Sequence, residues 1–350
     1  MKCYFRKFWV VNNKKYLILL SFFLFFLVVI FCWLFLVSNI LVENKKLEFY
    51  IKKNTSFTEF FKIISPHLKS KTSFRLASKL KKFDKNIKPG RYIIEKSMNN
   101  NQLINNLRVN NIPVNLTFNN LERIENLASV ISNQLEVDSL DLINQLLNEE
   151  FLKKNGFNSN NALSMYIPNS YELFWNTSSV NFQKRMYREY LKFWNEERLS
   201  RAKEINLTPI QVSILASIVN KESSKNIERP VIAGVYLNRL NKKIKLQADP
   251  TVIYSMKKKE NNFKKIIKRV LFKDLNLNSE YNTYRYFGLP PGPICMPDIS
   301  SIDAVLNYKK HDYLYFVANP NKPGYHSFSK NLRDHNNYRR VYLNWLRKKK

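Results

Sequence analysis

The sequence predicts an α+β chain: a single N-terminal transmembrane helix, a small βααβ module and a larger mixed α+β domain. Three observations predict it. A charge-free apolar run lies near the start, residues 47–111 alternate short strand and helix signals, and the last third mixes amphipathic helices with aromatic strands. That last third also holds four of the six glycines, Gly234, Gly288, Gly292 and Gly324, so special backbone geometry and with it function are expected there.

Residues 1–15 form a short basic tail with Lys2, Arg6, Lys7, Lys14 and Lys15. From Tyr16 to Val42 no charged residue occurs, which exceeds the roughly 20 residues needed to span a bilayer. A cleaved signal peptide would need a shorter apolar region and a small-residue cleavage site, and neither is met. The preceding positive charge places the N-terminus in the cytoplasm, with the body from about Glu43 outside it. Lys45 and Lys46 weaken that asymmetry, but a large trailing domain translocates largely regardless of charge.

The module at residues 43–111 starts with a strand at Leu47–Lys52. Ser56 with Glu59 three residues later makes a capping box for the first helix. A second helix covers Thr72–Lys82, and Pro89-Gly90 turns into a strand at Arg91–Ile94. A short helix at Asn101–Val109 closes a unit that is either a sugar-binding module or a spacer. Residues 112–205 connect it to the last domain. They read as a strand (Ile112–Phe118), helices at Asn120–Leu135 and Ser139–Lys154, and one long amphipathic helix at Phe182–Ile205.

Net charge is +31, which ordinarily signals an anionic partner. Here lysine and asparagine are spread along the whole chain rather than gathered into an arginine-rich patch, so no nucleic-acid partner is expected. Three cysteines set no disulfide framework. The four histidines, His67, His311, His326 and His335, have no metal-ligand spacing, and the chain lacks HExxH, paired Cys-x-x-Cys, phosphate-loop and G-x-S-x-G motifs.

Residues 206–350 are organised around the stretch from Thr208 to Tyr254. Thr208-Pro209 is an N-cap followed by proline at the first helical position. Ile210, Ile214, Leu215, Ile218 and Val219 give the helix an apolar face, with Glu222 at its end. A second helix follows Pro230, and LQADPTVIY reads as an extended or turn-like segment because Asp249-Pro250 resists helix. Glu222 is the candidate acid: burial against apolar walls would raise its pKa toward the working pH, as protonating a glycosidic oxygen requires. Spacing alone leaves an ion pair with Lys221, Lys225 or Arg229 as the simpler account. Asp249 could orient a substrate or serve as an ordinary turn residue.

The blocks ASIVNKES, ERPVIAGVYLNRL, LQADPTVIY, YNTYRYFGLPPGPI and DYLYFVA occur in this order. With them the chain resembles the YceG-like endolytic murein transglycosylases over about residues 206–340. The resemblance implies a LysM-like module upstream, here carrying KPGRY at Lys88–Tyr92. It implies that Glu222, in Val219-Asn220-Lys221-Glu222-Ser223, acts first as general acid and then as base. The MurNAc–GlcNAc bond would be cut inside nascent strands, leaving 1,6-anhydroMurNAc ends. Gln247, Asp249, Thr251, Asn282 and Tyr284 are expected to line the glycan cleft. No cofactor and no metal are implied. The implied partners are peptidoglycan strands and peptidoglycan synthases, and the implied place is the bacterial plasma (inner) membrane. A wall-binding scaffold, or a hydrolase using the same cleft, is the alternative. Asn220, Asn169 and Ala248 depart from the family's usual Glu, Asp and Thr.

Overall fold

The computed structural model describes residues 2–348, with side chains from Lys14 onward. The side chains of Lys2, Arg6 and Lys7, in the expected cytoplasmic tail, and the terminal Lys349 and Lys350 lie outside the described part. The fold is mixed α+β. It divides into two units, Met1–Val114 with Glu172–Asn176 and Asn115–Tyr171 with Thr177–Lys350.

The first unit opens with α1 (Lys2–Phe35). Its Lys14–Phe35 stretch has 22 residues of mean hydropathy 3.1, long and apolar enough to cross a membrane. Its Leu and Phe side chains from Leu17 to Leu27 are exposed rather than packed. The apolar run was expected to stay helical to Val42, yet the helix ends at Phe35. The following residues serve the core instead. Ile40 is buried and bridges to Leu68, and Ser38 bridges to Asn99. Asn39 donates from Nδ2 to Asn100 Oδ1 (2.7 Å) and accepts from the Ser70 N–H (2.6 Å). A side chain committed in this way competes with helical hydrogen bonding.

Next come β1 (Lys46–Ile51), α2 (Phe57–Ile64), α3 (Lys71–Leu80), β2 (Gly90–Glu95) and α4 (Asn100–Val109). The expected capping box of Ser56 and Glu59 starts α2. β1 and β2 pair antiparallel, with Lys46 opposite Glu95 and Ile51 opposite Gly90. Phe49, Phe60, Phe74, Phe83, Tyr92 and Ile94 fill the core, with the Phe60 ring 5.9 Å from Phe49 and 5.4 Å from Phe83. Asn100 is the polar clamp of this core. Its Nδ2 donates to the Leu34 carbonyl (2.8 Å) and Ser73 Oγ (3.1 Å), so the end of α1 is tied to α4. Asn100→Ala would leave the Leu34 carbonyl without its side-chain donor and one Asn39 Nδ2–H without an acceptor, although Asn39 keeps its bonds to Ser70. A loss of roughly 2–3 kcal/mol in stability is expected, measured by denaturant unfolding of the full chain in detergent.

β3 (Pro113–Phe118) and β4 (Asn169–Phe174) fall partly in each unit, and the second unit holds α5 (Ile124–Ser132), α6 (Ser139–Leu146), α7 (Glu149–Lys154), α8 (Ser179–Phe193) and α9 (Glu196–Glu204). β3 pairs with β4. Two expected single helices are each split by an asparagine. Asn148 caps α7 by accepting from the Phe151 N–H, and Asn195 caps α9 by accepting from the Arg198 N–H. Mid-helix asparagine thus acts as a restart signal, because its side chain satisfies an otherwise orphaned N–H.

Then follow α10 (Pro209–Glu222), α11 (Arg229–Asn241), α12 (Asp249–Lys259), α13 (Ile299–Leu306), β5 (Tyr315–Ala318), β6 (His326–Ser329) and α14 (Leu332–Lys348). Thr208 and Gln211 form a capping box at the start of α10. Every residue from Val212 to Val219 is buried, and α10 packs against α11, α12 and α13. LQADPTVIY corrects the extended or turn-like reading: Asp249 opens a helix. Pro250 sits in the first turn, where its missing N–H costs nothing and its fixed φ suits the helix.

Candidate active site

Glu222 is the last residue of α10, and its side chain faces a cleft of about 400 Å³. α11 contributes Tyr236 and Arg239, the turn into α12 contributes Gln247 and Asp249, and the loop before α13 contributes Tyr284. β5, His326 of β6 and His335 of α14 form the facing wall.

The expected ion pairs of Glu222 do not form. Lys221 bonds to Glu122 (3.0 Å), and the Arg229 guanidinium bonds to Asp298 (2.8 Å). Glu222 instead accepts a hydrogen bond at Oε1 from the Tyr236 hydroxyl (2.6 Å). Burial pushes its carboxyl up to about 7; the Tyr236 hydroxyl opposes the rise, and the negative charge of Asp249 adds to it. The C-terminal end of a helix also disfavours an anion, in the same direction. At neutral pH this carboxyl therefore exists in both protonation states, as a group that must give and retrieve one proton requires.

Burial and the adjoining Glu222 hold the Tyr236 phenol well above its ordinary pKa, so it stays a donor. Tyr284 is raised likewise, by burial and by its hydrogen bond to Asp249 Oδ1 (2.6 Å). Asp249 stands at the N-terminus of α12, where the helix dipole favours negative charge. Gln247 adopts a left-handed φ of 53°, an uncommon conformation for a side chain of this size. It turns the chain into α12 and accepts from Arg239 (3.1 Å).

Thr251 and Asn282 do not line the cleft. Both are fully buried. Thr251 Oγ1 bonds to the Ala248 carbonyl (2.7 Å) and Thr283 Oγ1 (2.8 Å). Asn282 Nδ2 donates to the carbonyls of Leu275 (2.9 Å) and Leu277 (2.8 Å), while its Oδ1 accepts from the Tyr284 N–H (3.0 Å). Their polar atoms are spent on holding the loop and the helix start that present Tyr284 and Asp249. Asn220 also points elsewhere: it donates to Asn120 Oδ1 (3.1 Å) and accepts from the Ser301 hydroxyl (3.0 Å). Asn169 is an exposed residue of β4, and Ala248 is a buried N-cap.

Sequence reasoning missed Tyr236, Arg239, Tyr315, His326 and His335. Tyr236 and Arg239 lie three residues apart on α11, a spacing that puts them on one helical face and could have drawn attention. His326 has a buried partner: its ring Nδ1 and its N–H both bond to Glu228, at 2.8 and 2.7 Å. Burial and Arg239 lower the pKa of His335, and its Nδ1 has no hydrogen-bond partner. Among the described residues, no group of three or more His, Cys, Asp and Glu is placed to hold a metal ion.

Fold and cleft define a mixed α+β protein built around one half-buried glutamate at a helix end. The chain belongs to the YceG-like family, whose pattern matches residues 49–341. It is similar to an endolytic murein transglycosylase of Bacillus subtilis (strain 168), with 40% identity over 144 residues, 41% of this chain and 38% of the relative. A Streptococcus pneumoniae (strain R6) protein of the same description is 37% identical over 136 residues, 39% of this chain and 24% of that protein. The matched stretches thus span well under half the length of these curated relatives. The crystal structure of a YceG-like protein from Listeria monocytogenes aligns with a TM-score of 0.56 at 26% identity, covering 84% of this chain and 98% of that one.

Proposed function

We propose that this chain is a membrane-anchored lytic transglycosylase that cuts the MurNAc–GlcNAc bond inside peptidoglycan strands. The placing of half-buried Glu222 in the cleft beside Tyr236, with its carboxyl pushed up to about 7, carries this reading. The names of the similar Bacillus and Streptococcus proteins support it.

Protonated Glu222 gives its proton to the glycosidic oxygen as the bond from C1 of MurNAc breaks, through an oxocarbenium-like transition state. The MurNAc C6 oxygen then closes onto C1, and its proton returns to Glu222. The product is a 1,6-anhydro ring and the carboxyl is regenerated, with no water consumed. The Tyr236 hydroxyl steadies the carboxylate between the two proton transfers. Asp249, held by Tyr284, offsets positive charge on the sugar ring, and Gln247 binds the strand beside it. The helix Lys14–Phe35 anchors the protein in the plasma membrane with its N-terminus cytoplasmic. Residues 43–111 form a LysM-like module, residues 112–205 connect it, and residues 206–350 are the catalytic domain. Strands are met as peptidoglycan synthases release them.

Because Asp249 shares the cleft, hydrolysis is the second reading: a second carboxylate could activate water or attack C1. Mass spectrometry of uncrosslinked strands incubated with the full chain in detergent separates the two. New internal ends carrying 1,6-anhydroMurNAc are expected. Reducing ends would make the protein a hydrolase, and bound but uncut strands a wall-binding scaffold.

A further inference from the structure

Glu228 and His326 form a carboxylate–imidazole pair that the proton path through Glu222 does not use. Glu228 stands at the start of α11, where the helix dipole favours negative charge, and its side chain is 5% exposed. One oxygen, Oε1, accepts from the His326 N–H (2.7 Å). The other, Oε2, accepts from His326 Nδ1 (2.8 Å) and from the Ser223 hydroxyl (3.3 Å). Ser223 is the residue after Glu222, and its hydroxyl oxygen is held by the Lys225 N–H (3.1 Å). One buried carboxylate thus ties the β5–β6 wall of the cleft to the end of α10. The rings of Phe316 and Phe328 flank the imidazole at 5.1 and 6.4 Å, centroid to centroid. Phe316 also meets Tyr236, the partner of Glu222, at 5.9 Å.

A carboxylate only accepts, so the hydrogen of the imidazole sits on Nδ1. In that tautomer Nε2 carries a lone pair. It has no hydrogen-bond partner among the described residues, it is not sealed off, and His326 lines the same cleft as Glu222. A tie between strand and helix would need none of this, because the backbone N–H of His326 already reaches the same carboxylate. The ring adds an acceptor of fixed polarity and direction, the service a buried carboxylate gives an imidazole in hydrolytic triads. His335, on the same wall, lacks such a holder. Its ring lies 5.3 Å from that of Tyr315, and its Nδ1 is buried without a partner.

We infer that His326 positions the strand in the cleft: its Nε2 accepts a hydrogen bond from a donor on the sugar held against Glu222, while Glu228 fixes the ring. The inference rests on the proposed function for the identity of the strand. Amino-sugar strands offer two kinds of donor, hydroxyls and acetamido N–H groups. A hydroxyl also accepts, whereas an acetamido N–H does not, so the two respond differently when the polarity of Nε2 is reversed.

The test measures binding of long uncrosslinked strands to the full chain in detergent, in a Glu222→Gln background so that nothing is cut. In His326→Asn the carboxamide N–H replaces Nδ1–H against Glu228, and nothing replaces Nε2. Strand binding is expected to weaken about tenfold with the melting temperature unchanged, a split that a purely structural tie would not give. In Glu228→Gln the carboxamide N–H faces Nδ1 and moves the imidazole hydrogen to Nε2, which the 15N shifts of labelled histidine report. Binding weakened about tenfold there as well identifies an acetamido N–H as the donor, and binding retained there identifies a hydroxyl. Parent-like binding by His326→Asn, a hydrogen on Nε2 in the parent, or no strand binding by the parent overturns the contact. Cleavage by the chain that keeps Glu222 is scored apart from this. Binding that depends on His326, with no cutting, keeps the contact and removes the enzyme; cutting, with parent-like binding by His326→Asn, does the reverse.

Discussion

Glu222→Gln is expected to lower strand cleavage by about 10²–10⁴-fold, the usual contribution of a positioned general acid, while strand binding is retained. The amide still accepts from Tyr236, so the local geometry survives. For the unsubstituted chain, kcat/KM should be flat below about pH 7 and fall tenfold per pH unit above it, because only protonated Glu222 starts the reaction. Stability should move the other way. The carboxyl ionises near its ordinary 4.5 in the unfolded chain and near 7 in the folded one. Its contribution is therefore complete below about 4.5 and lost as pH rises through 7. Glu222→Gln escapes that loss, so at pH 8 the variant should be more stable by roughly 2–3 kcal/mol. Below pH 4.5 the two should melt alike. A variant no more stable at pH 8 would show that the carboxyl is not placed as described.

Arg229→Met is expected to cost roughly 1–2 kcal/mol: the Ser223 carbonyl and the Ser300 hydroxyl lose a donor, while the Asp298 carboxylate left behind is 37% exposed and can be solvated. The Arg229 side chain is only 7% exposed and bonds both oxygens of Asp298 and the Ser300 hydroxyl. Its Nε also holds the Ser223 carbonyl (3.0 Å), one residue beyond Glu222. Denaturant midpoints should show the loss, and cleavage should fall as the end of α10 loosens. Arg229→Lys should recover little of either, because one ammonium cannot replace a fork that reaches Asp298 and Ser223 together. Full recovery by lysine would reduce Arg229 to a point charge.

Helix α10 was legible because its cap, its proline and its apolar residues all point to the same element. Glu222 was visible through motif resemblance, but its surroundings were not, since the walls come from α11, β5 and β6. Asp249-Pro250 is ambiguous in the sequence because proline both breaks a helix and starts one; at Pro209 the preceding Thr208 cap resolves it, and at Pro250 no capping side chain does. Thr251 and Asn282 sit in the same motifs as Asp249 and Tyr284, yet one-residue steps turn their side chains inward. The contact of His326 with Glu228 was not legible, because the two lie 98 positions apart. Pairings across such a distance leave no local trace in periodicity or spacing. The ends of α6 and α8 were missed for the opposite reason, a purely local one: single asparagines that restart a helix.

The two walls of the cleft differ in how they can yield. One is α10, buried along two consecutive turns and wedged among three other helices. The other is a two-stranded ribbon backed by α14, a helix without one fully buried residue. Few apolar contacts and exposed backbone hydrogen bonds make for cheap local opening. The α10 side is therefore expected to be the stiffer of the two; under the proposed function, the ribbon side is the one past which a long strand would enter laterally, without being threaded by its end.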